Sequence, residues 1–92
     1  MNIVQTPIFK RTYKKLHNSE KLACNNAITV IEENPEIGEE KKQDLAGIRV
    51  YKYKLNEKLY LLSYSYDPKT LRLIMLGFHE NFYRDLKDYL KG

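Results

Sequence analysis

The chain has 92 residues, of which 42% are hydrophobic and 30% are charged. These totals fit one globular domain spanning residues 1–92 and exclude a disordered chain, which would be less apolar. The single cysteine, Cys24, excludes an internal disulfide and a cysteine-based zinc site, and the two isolated histidines offer no metal-ligand spacing. We therefore expect no metal and no cofactor. The sequence shows neither a signal peptide nor an apolar run of membrane length, so we expect a cytoplasmic protein that does not contact a membrane.

The net charge of +4 is unevenly distributed along the chain. Residues 1–31 carry a net charge of +4, residues 32–44 carry −4, and residues 45–58 carry +3. The positive charge therefore lies in the first helical region and in the first long strand, with an acidic segment between them. This distribution suits a surface that binds a polyanion. Excess surface lysine also serves solubility, however, and charge alone does not decide between the two interpretations.

The first 34 residues predict a short strand and a helical hairpin. We expect a strand over residues 2–5, followed by a helix start at Thr6 and Pro7, because threonine caps free N–H groups and proline needs no donor there. Ser19 is expected to cap a second helix, which ends at Asn34–Pro35 because the residue before a proline avoids helical geometry. Apolar residues at helical spacing mark the buried sides of the two helices: Phe9, Tyr13 and Leu16 in the first, and Cys24, Ala27, Ile28 and Ile31 in the second.

The remaining residues predict a loop, three strands and a last helix. Residues 35–47 are longer than an ordinary connection, which indicates either a function or a short helical turn. Strands are expected over residues 48–55, 58–66 and 70–78, joined by short turns into an antiparallel meander. The last helix is expected from about His79, with a buried side formed by Phe82, Leu86, Tyr89 and Leu90. The predicted fold class is α+β in the order β-α-α-β-β-β-α, with the helical hairpin and the C-terminal helix on one face of an antiparallel sheet and the other face open.

The strand "IRVYKYKL", residues 48–55, carries two lysines on one face. Its two-residue period separates Lys52 and Lys54, with Ile48 and Val50, from Arg49, Tyr51, Tyr53 and Leu55. The two lysines would project about 7 Å apart, which matches the spacing of successive phosphates in a single nucleic-acid strand. The simpler interpretation is a solvated strand face whose lysines protect a sheet edge.

The eight tyrosines allow two interpretations. Tyr60, Tyr64 and Tyr66 share one face of the second long strand, and platforms on which bases stack are built in this way. Cross-strand aromatic packing in a small core is the more common use of such a row.

His79 is the candidate for proton transfer. On a helical projection it lies at the rim of the buried side of the last helix, at a strand–helix junction where the helix dipole favours neutral imidazole. Tyr83 falls on the border of that side, and Arg84 and Lys87 lie on the outer side. The alternative is a histidine that only caps or packs the helix. His17 has no partners near it in sequence and is expected to be a surface residue.

The chain resembles the RelE/ParE superfamily of toxins from bacterial type II toxin–antitoxin modules. The resemblance covers nearly the whole chain and rests on five stretches: "FKRTYKKL…AITVIEENPEIG", "LAGIRVYKYKL", "YLLSYSYD", "LIMLG" and "HENFYRDLK". It implies the fold predicted above and a cognate antitoxin as partner, through which alone the protein would reach operator DNA.

RelE-like members cut mRNA in the ribosomal A site, and the resemblance extends this activity to the present chain without a metal or cofactor. Lys52 and Lys54 would place the substrate and stabilise charge, His79 would act as general acid or base, and Tyr83 or Arg84 would hold the scissile phosphate or stack a base. Further RNA contacts are expected from Arg49, Lys58 and Lys87. One position departs from the family pattern. Where RelE has an arginine in a "YR" pair of the second long strand, this chain has Leu61, and a leucine cannot bind phosphate.

That departure leaves two other functions open. ParE-like members share the fold, lack the ribonuclease residues and poison DNA gyrase through protein–protein contacts. An inactive relative would act only as a corepressor bound to its antitoxin.

Overall fold

In the computed structural model of the protein, residues 1–78 and 80–91 are described, and they form three helices and one five-stranded sheet. In chain order the elements are β1 (Asn2–Gln5), α1 (Pro7–Lys14), α2 (Asn18–Glu33), β2 (Glu39–Glu40), a 3-10 turn (Gln43–Leu45), β3 (Arg49–Leu55), β4 (Lys58–Tyr66), β5 (Thr70–Phe78) and α3 (Phe82–Lys91). The predicted order of helices and long strands is confirmed, and residues 35–47 contain a short strand and a helical turn in addition. None of the helices in these residues is long and apolar enough to cross a membrane.

The sheet is mixed rather than purely antiparallel. Its strand order is β1-β5-β4-β3-β2, and β1 pairs in parallel with β5, whereas all other pairs are antiparallel. Tight turns impose antiparallel pairing on the meander β3-β4-β5; Asn56 and Glu57 both have positive φ, as a two-residue hairpin requires. The antiparallel sheet was predicted because short turns join consecutive strands. No turn connects β1 to β5, so this reason does not apply to β1.

The helical hairpin begins as predicted but its second cap differs. The Thr6 hydroxyl accepts from the Phe9 amide at 3.1 Å and donates to the Ile74 carbonyl at 2.6 Å, so one side chain both caps α1 and ties it to β5. The cap of α2 is His17 rather than Ser19, because the extended backbone of His17 donates its N–H to the Glu20 carboxylate at 2.9 Å. The helix ends at Glu33, directly before Asn34–Pro35.

The two faces of the sheet carry different helices. We call the side covered by α1 and α2 the hairpin face, and the opposite side the lysine face because it carries Lys52 and Lys54. The prediction that all helices lie on one face is wrong, since Phe82 and Leu86 of α3 pack against the lysine face. The strand alternation is the reason: β3, β4 and β5 have buried apolar residues on both sides, so each side needs a cover. The hairpin face buries Tyr60, Leu62, Tyr64, Leu71, Leu73 and Leu76, and the lysine face buries Val50, Leu61, Ile74 and Met75.

The segment between α2 and β3 is anchored from the hairpin face. The Tyr64 side chain is fully buried. Its hydroxyl donates to the Pro35 carbonyl at 2.7 Å and accepts from the Gly38 amide at 2.9 Å. The Arg49 guanidinium donates to the carbonyls of Glu36 and Gly38 at 3.0 and 2.8 Å. These four bonds fix the backbone that leads into β2 and so determine where Glu39 lies.

Candidate functional site

The two lysines of β3 are exposed on the lysine face, as the strand period predicts. Tyr51 and Tyr53 alternate with them and turn inward to pack against the core under the helical hairpin. Lys52 lies opposite Leu61 in the register of β3 and β4, and Lys54 lies opposite Leu59. The lysines therefore project from a strand whose position is fixed from the other side by packed aromatic rings.

An ion pair that sequence reasoning missed lies beside Lys52. Glu39 of β2 is opposite Val50 in the sheet, and its carboxylate pairs with the Lys41 ammonium. The Lys41 nitrogen lies 4.9 Å from the centroid of the Tyr83 ring, and only 18% of its side chain is exposed. Glu39, Lys41 and Tyr83 thus connect β2 with α3 across the lysine face.

The charges of this group influence one another. The hydrogen bond from Lys41 is the main cause that lowers the pKa of Glu39, and the positive charge of Lys52 lowers it further. The same bond with Glu39 raises the pKa of Lys41. Glu39 therefore remains ionised between two cations, and Lys41 competes with Lys52 for its negative charge.

The α3 residues Tyr83 and Arg84 differ in access. The Tyr83 hydroxyl is buried and has no hydrogen-bond partner within residues 1–78 and 80–91. The Arg84 side chain is 68% exposed, and its Nε lies 3.7 Å from Asp85 Oδ1. Lys87 is exposed on the same outer side of α3, as predicted. Of the two candidates for holding a phosphate, Arg84 is the one that solvent reaches.

His79, the predicted general acid or base, lies outside the described residues. β5 ends at Phe78 and α3 begins at Phe82, so the helix starts three residues later than the sequence predicts. The reason is the backbone of Asn81, whose φ of 64° belongs to the left-handed region and interrupts a helix.

The structure does not bring Arg49 and Lys58 together with the lysine pair. Arg49 uses its guanidinium on the backbone of residues 36–38, on the hairpin side of the sheet. The Lys58 ammonium lies 3.8 Å from the centroid of the Phe78 ring and 5.9 Å from that of Tyr60, also on the hairpin side.

Leu61 occupies a core position. It has no exposed surface and belongs to the same apolar cluster as Phe82 and Leu86 of α3. Its register partner in β5 is Gly77, where a Cβ atom would lie 3.0 Å from the Phe82 ring. The absence of a side chain at Gly77 therefore lets Phe82 close over this part of the lysine face.

The tyrosines mainly form the core of the hairpin face. The rings of Tyr53 and Tyr60 stack with centroids 5.2 Å apart, and Tyr60 meets Phe78 edge-on at the same distance. The Tyr60 hydroxyl donates to the Glu20 carboxylate at 2.6 Å. This hydrogen bond is the main cause that lowers the pKa of Glu20. Burial raises the pKa of Tyr60 to about 12. In this row only Phe78 is exposed to a large extent, at 43%.

Glu39 and Lys41 left a weak signal in the sequence. The unusual length of the connection at residues 35–47 pointed to a function, but no periodicity indicated which of its charges would turn inward.

Within residues 1–78 and 80–91, no group of three or more His, Cys, Asp or Glu side chains could hold a metal ion.

The fold is that of small bacterial toxins. The structure is similar to a mutant of Escherichia coli RelE in the free state, with a TM-score of 0.72 and 17% identity over 98% of this chain and 95% of that one. It is also similar to a chain of the intact E. coli RelBE toxin–antitoxin complex (TM-score 0.68, 20% identity, 86% and 96% coverage). The YoeB/ParE toxin from Agrobacterium tumefaciens gives a TM-score of 0.66 with 22% identity and 86% and 99% coverage. At these identities the likeness shows the fold alone.

The sequence establishes the family. The family model described as ParE-like toxin of type II bacterial toxin–antitoxin systems matches residues 3–87. The chain therefore belongs to this family, and the predicted membership of the RelE/ParE superfamily is confirmed. None of the curated protein sequences matches the chain.

Proposed function

We propose that the protein is a ribosome-dependent mRNA endonuclease that arrests translation in the cytoplasm and is neutralised by a cognate antitoxin. The proposal is supported by the exposed pair Lys52 and Lys54, which strand rise separates by about 7 Å, close to the spacing of successive phosphates, on the face of the sheet that α3 covers. The antitoxin as partner is supported by the family and by the RelBE complex among the similar structures. Operator DNA would be reached only through the antitoxin.

The proposed reaction needs no metal because the attacking group belongs to the RNA. The 2′-hydroxyl attacks the adjacent phosphorus, a base removes its proton, and an acid protonates the departing 5′-oxygen, which leaves a 2′,3′-cyclic phosphate. His79 is proposed as one of these proton-transfer groups. Lys52 and Lys54 would bind the phosphate and stabilise the negative charge that develops on its oxygens.

The two α3 residues are given different roles on the basis of their access. Arg84 would contact the scissile phosphate, because its guanidinium is largely exposed. Tyr83, whose hydroxyl is buried, would support the site through its ring, which holds the Lys41 ammonium. Lys41 in turn keeps Glu39 from neutralising Lys52. Lys87 would contribute a more distant phosphate contact.

A second candidate function is the poisoning of DNA gyrase. It is favoured by Leu61, which is buried at the position where the resemblance to RelE calls for a phosphate-binding arginine. In that case Lys52, Lys54 and His79 would not carry the toxicity, and the effect would depend on surface contacts with gyrase.

Primer extension on a reporter mRNA in a purified translation system tests the proposal. The wild-type protein should cut at codons in the ribosomal A site, and Lys52→Ala and His79→Ala should each lower the cleavage rate by about 100-fold or more. Lys69→Ala is the matched control, because Lys69 is exposed in the turn between β4 and β5. Intact mRNA together with growth arrest in cells would refute the ribonuclease function, and inhibition of gyrase supercoiling would then establish the second candidate.

A further inference from the structure

A cleft of about 550 Å³ lies at the end of the sheet where β3 and β5 finish. Its apolar lining includes Leu16, Leu55 and Phe78, and Lys15 and Lys58 contribute positive charge. A cleft with an aromatic wall and cationic neighbours is the kind of site that takes a flat ring attached to an anion. It lies on the hairpin side of the sheet and does not include the lysine pair.

Phe78 is the exposed end of a row of aromatic rings. Tyr53 and Tyr60 stack behind it and are buried or half-buried, whereas 43% of Phe78 is exposed. The Lys58 ammonium lies 3.8 Å from the Phe78 centroid. An exposed cation–π contact is weaker than the stacking of a base on an aromatic ring, so a base can displace the ammonium, which then remains close enough to meet the phosphate.

The cleft and the lysine pair lie on opposite faces of the same end of the sheet. Lys52 and Lys54 project from the lysine face of β3, whereas Lys58, opposite Leu55 in the register, lies on the hairpin side. The tight turn at Asn56 and Glu57 joins β3 to β4 at this end, and Lys58 follows it directly. A nucleic-acid strand that leaves the lysine pair therefore has to round this turn to reach Lys58 and the rim of the cleft.

The polar wall of the cleft favours a nucleotide over an acidic peptide. The Glu20 carboxylate is held at this wall by the Tyr60 hydroxyl at 2.6 Å and the His17 amide at 2.9 Å. It can accept a hydrogen bond from the exocyclic amino group of a base, whereas it repels the carboxylates of an acidic peptide. A nucleotide supplies both an anion for Lys58 and a donor for Glu20.

We propose that Phe78 and Lys58 form a stacking subsite for a nucleotide of the same single-stranded RNA that binds at Lys52 and Lys54, at the point where the strand has rounded the β3–β4 turn. The proposal rests on the proposed ribonuclease function, since it extends the path of the same substrate. Bases with exocyclic amino groups are preferred over uracil because of Glu20. The subsite raises the affinity for RNA and contributes to the choice of sequence at a position separated from the cleaved bond by the β3–β4 turn.

The absence of tryptophan from the chain makes a direct test possible. Phe78→Trp introduces the only indole, and a ten-nucleotide 2′-O-methyl RNA, which cannot be cleaved by 2′-hydroxyl attack, is titrated into it. Stacking of a base should quench the indole fluorescence. Tyr66→Trp, at another exposed aromatic position of the sheet, is the matched control and should not be quenched. Both variants are first shown to be folded by circular dichroism.

Affinity measurements complete the test. Phe78→Ala should weaken binding of the same RNA about tenfold, and Lys58→Ala should lower the slope of binding against salt concentration by about one. In mRNA cleavage, Phe78→Ala should raise KM with little change in kcat. If RNA quenches the Phe78→Trp protein but the wild-type protein does not cleave mRNA, the ribonuclease function is refuted and the RNA subsite is supported. Cleavage by a Phe78→Trp protein that RNA does not quench would refute the subsite, as would quenching by a ten-residue polyglutamate instead of RNA.

Discussion

Replacing Tyr64 by phenylalanine should destabilise the protein far more than the loss of one oxygen atom suggests. The Tyr64 hydroxyl is the partner of two backbone groups, the Gly38 amide and the Pro35 carbonyl. Arg49 cannot replace the oxygen at the Gly38 amide, because a guanidinium has no acceptor, and its NH1 group already donates to the carbonyls of Glu36 and Gly38. A buried polar group left without a partner costs about 1–3 kcal/mol. The Gly38 amide bond is buried and carries this cost in full, whereas the Pro35 carbonyl is half-buried and carries about 1 kcal/mol, so the two together predict a loss of about 2–4 kcal/mol in the free energy of unfolding.

Urea denaturation followed by circular dichroism measures this loss. With an m-value of about 1.5 kcal/mol/M, the midpoint of Tyr64→Phe should fall by about 2 M relative to wild type. The matched control is Tyr66→Phe, since Tyr66 is exposed and its midpoint should be unchanged. The Gly38 amide should also exchange its hydrogen faster in Tyr64→Phe. A midpoint within about 0.3 M of both wild type and the control would show that the two hydrogen bonds do not hold the segment before β2.

Three further predictions concern Leu61, Glu20 and Lys41. Leu61→Arg should lower the free energy of unfolding by more than about 3 kcal/mol in urea titrations, because it buries a charge among apolar groups. Leu61→Met should cost less than about 1.5 kcal/mol. Equal urea midpoints for the two variants would contradict the burial of Leu61. The lowered pKa of Glu20 stabilises the fold above its ordinary value of 4.5, and this contribution disappears as the pH falls through the lowered pKa. Urea midpoints of wild type and Glu20→Gln should therefore differ at pH 7 and converge in acid; a constant difference would count against the argument. Lys41→Met should slow mRNA cleavage about tenfold by freeing Glu39 to pair with Lys52, and Lys41→Arg should retain the rate; full activity of Lys41→Met would contradict this role.

Local patterns predicted the elements whose boundaries are set by neighbouring residues. The limits of β4 and β5 agree with the prediction, and the alternation along β3 correctly separated Lys52 from Tyr53. These features depend on turn chemistry and on the two-residue period, both of which are visible in a single sequence.

Features that depend on packing between distant segments were not predictable in this way. The amphipathic pattern of α3 showed that Phe82 and Leu86 are buried, but it does not state which face of the sheet they cover. The same holds for the candidate site. Lys41 acquires its place beside Tyr83 only because Tyr64, 23 positions further along the chain, fixes the backbone before β2. A charge run in a loop carries no sign of such a contact.

The parallel pairing of β1 with β5 affects how the protein folds during synthesis. Asn2 is aligned with Thr70, and the Thr6 hydroxyl donates to the carbonyl of Ile74, so β1 pairs with a strand that lies 68 positions later in the sequence. Contacts of such sequence separation are slow to form, since the intervening chain must first be ordered. The meander β3-β4-β5 has local contacts and can form as it emerges. In a growing chain, however, β1 cannot pair with β5 until residues 70–78 have left the ribosome. A translation product that ends before residue 70 would therefore expose both the unpaired β1 and the buried side of α1, and we expect it to be degraded faster than the folded protein.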